Sequence, residues 1–140
     1  MSMQQKQQKV VEEISKCGEW FEVYEHIIRL GKELPPLAPR YRTDENSISG
    51  CQSSVWIVHE VHDGALYYSA DSDALITRGI IALVLSVING SSPEEIVHAD
   101  FGFLDTVGLS THLSPSRANG LTSILSRIRE TAAQHTAPHR

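Results

Sequence analysis

Cys51 stands in "NSISGCQSSVW", residues 46 to 56, between a glycine and a run of polar residues just ahead of an apolar stretch. A thiol reacts as its thiolate, so a working cysteine needs exposure and surroundings that favour the anion. The loop supplies the first condition. Gly50 permits a sharp backbone turn, and Gln52, Ser53 and Ser54 offer polar donors without bulk. Neither a base nor a cation adjoins Cys51 in the sequence, so any lowering of its pKa must come from a residue distant in the chain. The other cysteine, Cys17, falls on the apolar stripe of a helical pattern and reads as a small buried hydrophobe. That ordinary structural role is also the bland alternative for Cys51.

Three chemistries compete for such a thiol. A metal site needs cysteines and histidines at ligand spacing, such as Cys-x-x-Cys. The two cysteines are far apart, and His59 and His62 should fall on opposite faces of a strand, so no metal site is expected. A Cys–His hydrolase would draw on His112, the best-placed loop histidine. Yet "SGCQSSVW" lacks the Cys-Gly-Ser/Ala-Cys-Trp/Tyr signature of papain-like nucleophiles, and the chain is too short for that fold. His112 reads instead as a surface or structural residue, and another small hydrolase fold has no positive support. The third option is chemistry at sulfur itself: attack on a sulfur–sulfur bond needs no oxyanion hole and no proton relay, only access to an activated sulfur. It stands by elimination.

The elements that must position this loop can be read from periodicity. Val10, Val11, Ile14 and Cys17 recur at helical spacing until Gly18. Trp20, Phe21, Tyr24, Ile27, Ile28 and Gly31 mark a second amphipathic helix, closed by "LPPLAP", and residues 34–45 should form an irregular surface connection. "SVWIVHEV" and "ALYYSA" flank Asp63-Gly64, a strong hairpin signal, and the stretch about Ile48 offers a short edge strand. Trp56 should be mainly core. "DSDALITRGIIALVLSVING" predicts a central buried helix capped by Asp71 or Ser72 and ended by Gly90. Gly79 inside it costs about 1 kcal/mol relative to alanine, which close packing should offset. Ser92, Pro93 and Glu95 form a capping box.

A last helix opens near "SPSRANG", with Leu121, Ile124, Leu125, Ile128 and Ala132 as its buried stripe. Arg117, four positions before Leu121, lies on the same face, so its guanidinium belongs beside the core. This order predicts an α+β fold: a small antiparallel sheet, hairpin plus short edge strand, with helices packed on one face. One domain over residues 1–140 is expected, with 1–8 and 134–140 frayed.

Composition narrows the partners. The chain is 41% hydrophobic and 21% charged, ordinary for a globular protein, and at this length it can bury roughly two thirds of its unfolded surface. A net charge of −5 gives no electrostatic case for nucleic acid or an anionic membrane. "GIIALVLSVI" is too short to span a bilayer, and "MSMQQKQQKVVEE" lacks the apolar core of a secretory signal. A cytoplasmic location with both cysteines as thiols is expected.

"NSISGCQSSVWIV" resembles the signature of the SufE family, sulfur-acceptor proteins that partner SufS-type cysteine desulfurases. "GKELPPL", "DSDALITRGIIALVLSVING" and "LSTHLSPSRANGLTSILSRIR" resemble family segments in the same order, over roughly residues 10 to 133. Four separated matches are far more specific than one short motif, and the cysteine loop is closer to the SufE form than to the CsdE-type variant. The resemblance implies a SufE/IscU-like fold, without the three cluster-binding cysteines of IscU-type scaffolds.

It further implies that Cys51 takes persulfide sulfur from a desulfurase that uses pyridoxal phosphate, thereby raising its turnover, and passes it to a SufBCD-type scaffold complex. This chain would bind no cofactor and act as a transfer accessory rather than a free-standing enzyme. By the same resemblance the loop tucks inward when free and swings out on docking, with Gly50 as hinge. Arg117 then lies near the loop and partner surface, Asp73 packs near the cysteine, and Gln52 hydrogen-bonds within the loop. The ordinary alternatives are a helix-start salt bridge for Arg117 and helix capping for Asp73. Two other function classes stay open: a module that stimulates the desulfurase by docking alone, and a small thiol hydrolase.

Overall fold

The computed structural model describes residues 2–51 and 53–136. Helix α1 (Met3–Ser15) begins at a reciprocal cap: Ser2 Oγ accepts from Gln5 N–H, and Gln5 Oε1 accepts from Ser2 N–H. Residues 3–8, expected to fray, are therefore helical, because that box satisfies the first free amides. Gly18, at φ +89°, turns the chain into α2 (Trp20–Glu33). After the proline segment come two short 3₁₀ turns, Pro39–Tyr41 and Asp44–Asn46.

Strands β1 (Val55–His62) and β2 (Ala65–Ser72) pair antiparallel, from Val55 opposite Ser72 to His62 opposite Ala65. Asp63 and Gly64 both have positive φ, 52° and 78°, the combination a two-residue type I′ turn requires. The expected edge strand shrinks to one isolated bridge between Ser47 and Trp56, with Ile48 N–H donating to the Val55 carbonyl at 2.9 Å. The 3₁₀ turn ending at Asn46 leaves too little extended chain for a ladder, so the sheet has two strands among the described residues. Trp56 is half-buried rather than core, with the Arg42 guanidinium 5.2 Å over its ring.

Helix α3 (Leu75–Ile88) is the centre of the core and packs on α2 and β2. Ile81, Val84, Val87 and Ile88 are almost wholly enclosed, as its all-round apolar character demands. A Cβ on Gly79 would overlap the Ile27 carbonyl oxygen and lie 2.5 Å from Ile27 Cγ2, and one on Gly31 would sit 2.9 Å from Gly79 N. The α2 and α3 backbones thus touch, which explains a glycine in mid-helix. Gly79→Ala should lower stability by about 2 kcal/mol through overpacking, despite alanine's better helix propensity. Denaturant unfolding checks this, and an unchanged or raised midpoint would show that the contact is not limiting.

The start of α3 differs from expectation. Asp71 and Ser72 belong to β2, and Ala74 is the cap, without a side-chain bond. Asp71 is fully buried. Its carboxylate accepts from Leu37 N–H at 2.9 Å, Ser72 N–H at 2.8 Å and Arg42 Nη2 at 2.5 Å, and it pairs with Arg78 Nη1. Arg78 also donates to the carbonyls of Gly31 and Leu34. A buried charge needs such pairing, and it fastens the proline segment, whose Leu37 is buried, rather than leaving a loose surface connection.

Short helices α4 (Pro93–Val97), α5 (Gly102–Thr106) and α6 (Leu109–His112) follow. Both halves of the Ser92–Glu95 capping box form. Helix α7 (Pro115–Ala133) is capped by Ser114. Its deepest residues are Gly120, Ile124, Ile128 and Ala132, while Leu121 and Leu125 are half-buried against the core. Residues 137–140 of the tail lie outside the described residues. Among the described residues no helix is long and apolar enough to cross a membrane. The α+β expectation stands, with a smaller sheet.

Candidate functional site

The Cys51 loop rests on the first turns of α7 and beside the start of α3. Gly50 has φ +88°, a conformation that disfavours any side chain. A Cβ there would lie only 2.7 Å from Ser123 Oγ, so the loop sits directly on α7. Across from it, a Cβ on Gly120 would come within 3.5 Å of both Cα and Sγ of Cys51. The helix glycine therefore makes a berth for the cysteine side chain.

Cys51 is half-buried, and its thiol donates weakly to the Gly120 carbonyl, Sγ to O 3.7 Å. Behind it lies a cavity of about 20 Å³ whose lining includes Ser53, Thr77, Arg117, Gly120 and Ile124, enough for one water-sized group.

The loop is tied on its downstream side. Ser53 Oγ is 3.2 Å from Thr77 Oγ1 and accepts from Ser72 Oγ at 3.4 Å. Ser54 N–H donates to Asp73 Oδ1 at 3.1 Å, and Asp73 N–H donates back to the Ser54 carbonyl at 3.3 Å. Asp73 is thus not the cap of α3; it clamps the loop that carries the cysteine. Arg117 is half-buried and donates from Nη1 to Thr77 Oγ1 at 2.9 Å. Among the described residues it forms no salt bridge with a carboxylate, so the helix-start ion pair is not made.

Cys51, Gly50, Asp73 and Arg117 are therefore brought together, whereas Gln52 and its expected hydrogen bond lie outside the described residues. Sequence reasoning missed Thr77 and Gly120. A polar residue in the apolar run "ALITRGII" was the available signal for the first, and a glycine inside a predicted helix for the second.

The electrostatics of the berth favour the thiol. Burial pushes the Cys51 pKa up, since removal from water disfavours the anion, and a thiolate here would face a carbonyl oxygen. Alkylation by iodoacetamide should accordingly be slower at Cys51 in the native protein than in denaturant. Its pH midpoint should lie above the roughly 8.5 of a free cysteine, and equal native and denatured rates would contradict this description.

The competing chemistries find no support in the geometry. His112 stacks on Trp20, with ring centroids 4.1 Å apart and 11° between planes, and among the described residues no histidine lines the Cys51 cavity. His59 bonds to His135 and His62 to Glu60. Among the described residues no group of three or more His, Cys, Asp or Glu side chains is arranged to hold a metal ion. Cys17 is half-buried rather than enclosed, its sulfur 3.6 Å from the Glu13 carbonyl.

Comparison with known proteins gives two results. A family model described as "SufE: Fe-S metabolism associated domain" matches residues 8–132. Among solved structures, that of a hypothetical protein from Thermus thermophilus, determined in solution, superposes with a TM-score of 0.76. The match covers 93% of this chain and 95% of that one at 19% sequence identity, and it shows a shared fold.

Proposed function

The chain belongs to the SufE family, associated with Fe–S metabolism, and from that premise we propose that it accepts sulfur on Cys51 from a SufS-type cysteine desulfurase. The observation that carries this reading is the berth: a half-buried thiol set against the Gly120 carbonyl, on a loop with a glycine turn on one side and side-chain ties on the other.

In the proposed step the loop swings out and Cys51 ionises. Its thiolate attacks the outer sulfur of the donor persulfide. A bond forms between Cys51 Sγ and that sulfur, the donor's sulfur–sulfur bond breaks, and the electron pair leaves on the desulfurase cysteine as thiolate. Cys51 is oxidised to the persulfide level as the donor sulfur is reduced, so no external oxidant is needed. Attack at the inner sulfur would instead yield a dead-end mixed disulfide.

The pyridoxal phosphate chemistry that generates the persulfide stays in the desulfurase. Clearing the donor cysteine raises desulfurase turnover, and the carried sulfur goes on to a SufBCD-type scaffold in the cytoplasm. Arg117 lines the same cavity as Cys51, where Thr77 holds its guanidinium. Asp73 keeps the downstream end of the loop in place during the swing.

The test is transfer of label. The protein is incubated with a desulfurase and cysteine carrying radioactive sulfur, then separated without reductant. Label should travel with this chain, be released by dithiothreitol, and pass to a SufBCD-type complex on mixing. Label that never leaves the desulfurase would end the proposal.

A further inference from the structure

We propose that Thr77 is a positioning residue that latches the Cys51 loop in its berth by sharing one hydroxyl between Ser53 and Arg117. The inference rests on Cys51 being the reactive carrier, but the observations behind it are separate. Thr77 is a buried polar side chain in a largely apolar helix. A hydroxyl there must be satisfied, or its desolvation counts against the fold.

It is satisfied twice, by Arg117 Nη1 at 2.9 Å and Ser53 Oγ at 3.2 Å. The set continues through Ser72 Oγ, which donates to Ser53 at 3.4 Å and accepts from Ala74 N–H at 3.2 Å. The two outer groups, the guanidinium and the backbone amide, can only donate. Donors therefore face the set from both ends: Thr77 accepts from Arg117, Ser72 accepts from Ala74 N–H, and Ser53 between them accepts from Ser72.

The geometry divides the loop into a fixed part and a movable part. At Ser54 two bonds to Asp73, one in each direction, hold the chain whatever happens upstream. At Gly50 the positive φ marks a place where backbone can rotate without a side-chain penalty. Between them, the Cys51 thiol makes one weak hydrogen bond among the described residues, to the Gly120 carbonyl, and Ser53 is held by hydroxyl bonds reaching α3 and β2. Release of Ser53 is thus the step that frees the sulfur. Arg117 retains Thr77 as partner when the loop leaves, so the cation stays at the cavity for the loop's return.

The experiment reads iodoacetamide alkylation of Cys51 in the isolated protein at neutral pH, with Cys17 as internal reference. Thr77→Val removes the hydroxyl at constant shape and should speed Cys51 alkylation about fivefold, the effect of one neutral hydrogen bond on the opening equilibrium. Thr77→Ser should react like the unmodified protein. Ser53→Ala, a loop change that leaves the core untouched, should be at least as fast as Thr77→Val. The double variant should be no faster than Ser53→Ala, because both remove the same link.

An unchanged rate in Thr77→Val, equal acceleration at Cys17, or effects that multiply in the double variant would each overturn the latch. No desulfurase is present, so the outcome is independent of whether Cys51 receives sulfur. A latch that holds beside a failed transfer would indict the carrier reading alone, and the converse would indict the latch alone.

Discussion

Cys51→Ser is expected to reduce stimulation of the desulfurase to background and to abolish sulfur uptake by this chain. Serine keeps nearly the shape of cysteine and a proton for the Gly120 carbonyl, which now receives the thiol, so the loop and the docking surface should persist. A hydroxyl cannot replace a thiolate in attack at a sulfur–sulfur bond. The desulfurase persulfide would then go uncleared, and turnover would fall to that of the enzyme alone. Measurement of alanine or sulfide production with and without the variant decides the matter. Full stimulation by Cys51→Ser would mean that docking alone activates the partner. Cleavage of an ester by this chain without any partner would revive a hydrolase, although no histidine among the described residues lines the cavity.

Asp71→Asn should cost about 3–5 kcal/mol, the effect of removing one partner from a buried ion cluster. Against a total stability of about 5–15 kcal/mol for a domain, that is a large fraction. The amide would leave Arg78, whose side chain is 14% exposed, without its counter-charge, and would weaken the tie to Leu37 and Arg42.

The pH dependence has a definite sign. Desolvation pushes the Asp71 carboxyl up, but the amides of Leu37 and Ser72, with Arg42 and Arg78, outweigh it and hold the pKa below the usual carboxylate range. The folded value being depressed, this stability is fully present above the unfolded carboxyl value of about 4 and is lost as pH falls through the lower folded value. Denaturant unfolding across the acid range should show a steeper loss in the natural protein than in Asp71→Asn. A penalty under about 1 kcal/mol at neutral pH, within the range of ordinary substitutions, would mean that the cluster does not hold the fold. Because Ser72 and Asp73 follow directly and tie down Ser53 and Ser54, the variant should also loosen the Cys51 loop.

What the sequence revealed was local. Asp63-Gly64 announced a turn whose two positive φ values follow from residue type alone, and Ser92 and Glu95 met as their spacing required. Gly79 signalled close helix packing because nothing else offsets its cost. What it concealed depended on partners brought from afar. Asp71 looked like a helix cap because Asp in front of an apolar run usually is one. Its actual partners, Leu37 and Arg42, stand 34 and 29 positions away, and no spacing rule finds them.

The candidate site divides the same way. The cysteine loop was legible as a motif, and Arg117 could be placed on the right helix face by its offset from Leu121. Its partner, Thr77, stands 40 positions away and could not be foreseen. The raised pKa of Cys51 likewise comes from burial, which residues distant in the chain supply. The predicted stripe of α7 holds at Ile124, Ile128 and Ala132, while Leu121 and Leu125 are half-buried and Gly120 joins the buried face.

The most direct measurement is intact-protein and peptide mass spectrometry after brief incubation with a SufS-type desulfurase and cysteine, without reductant. The expected result is a gain of one sulfur atom on the peptide containing Cys51, lost on treatment with dithiothreitol, and none on the peptide containing Cys17. No adduct on Cys51 under turnover, or sulfur shared equally with Cys17, would contradict the assignment of Cys51 as the carrier.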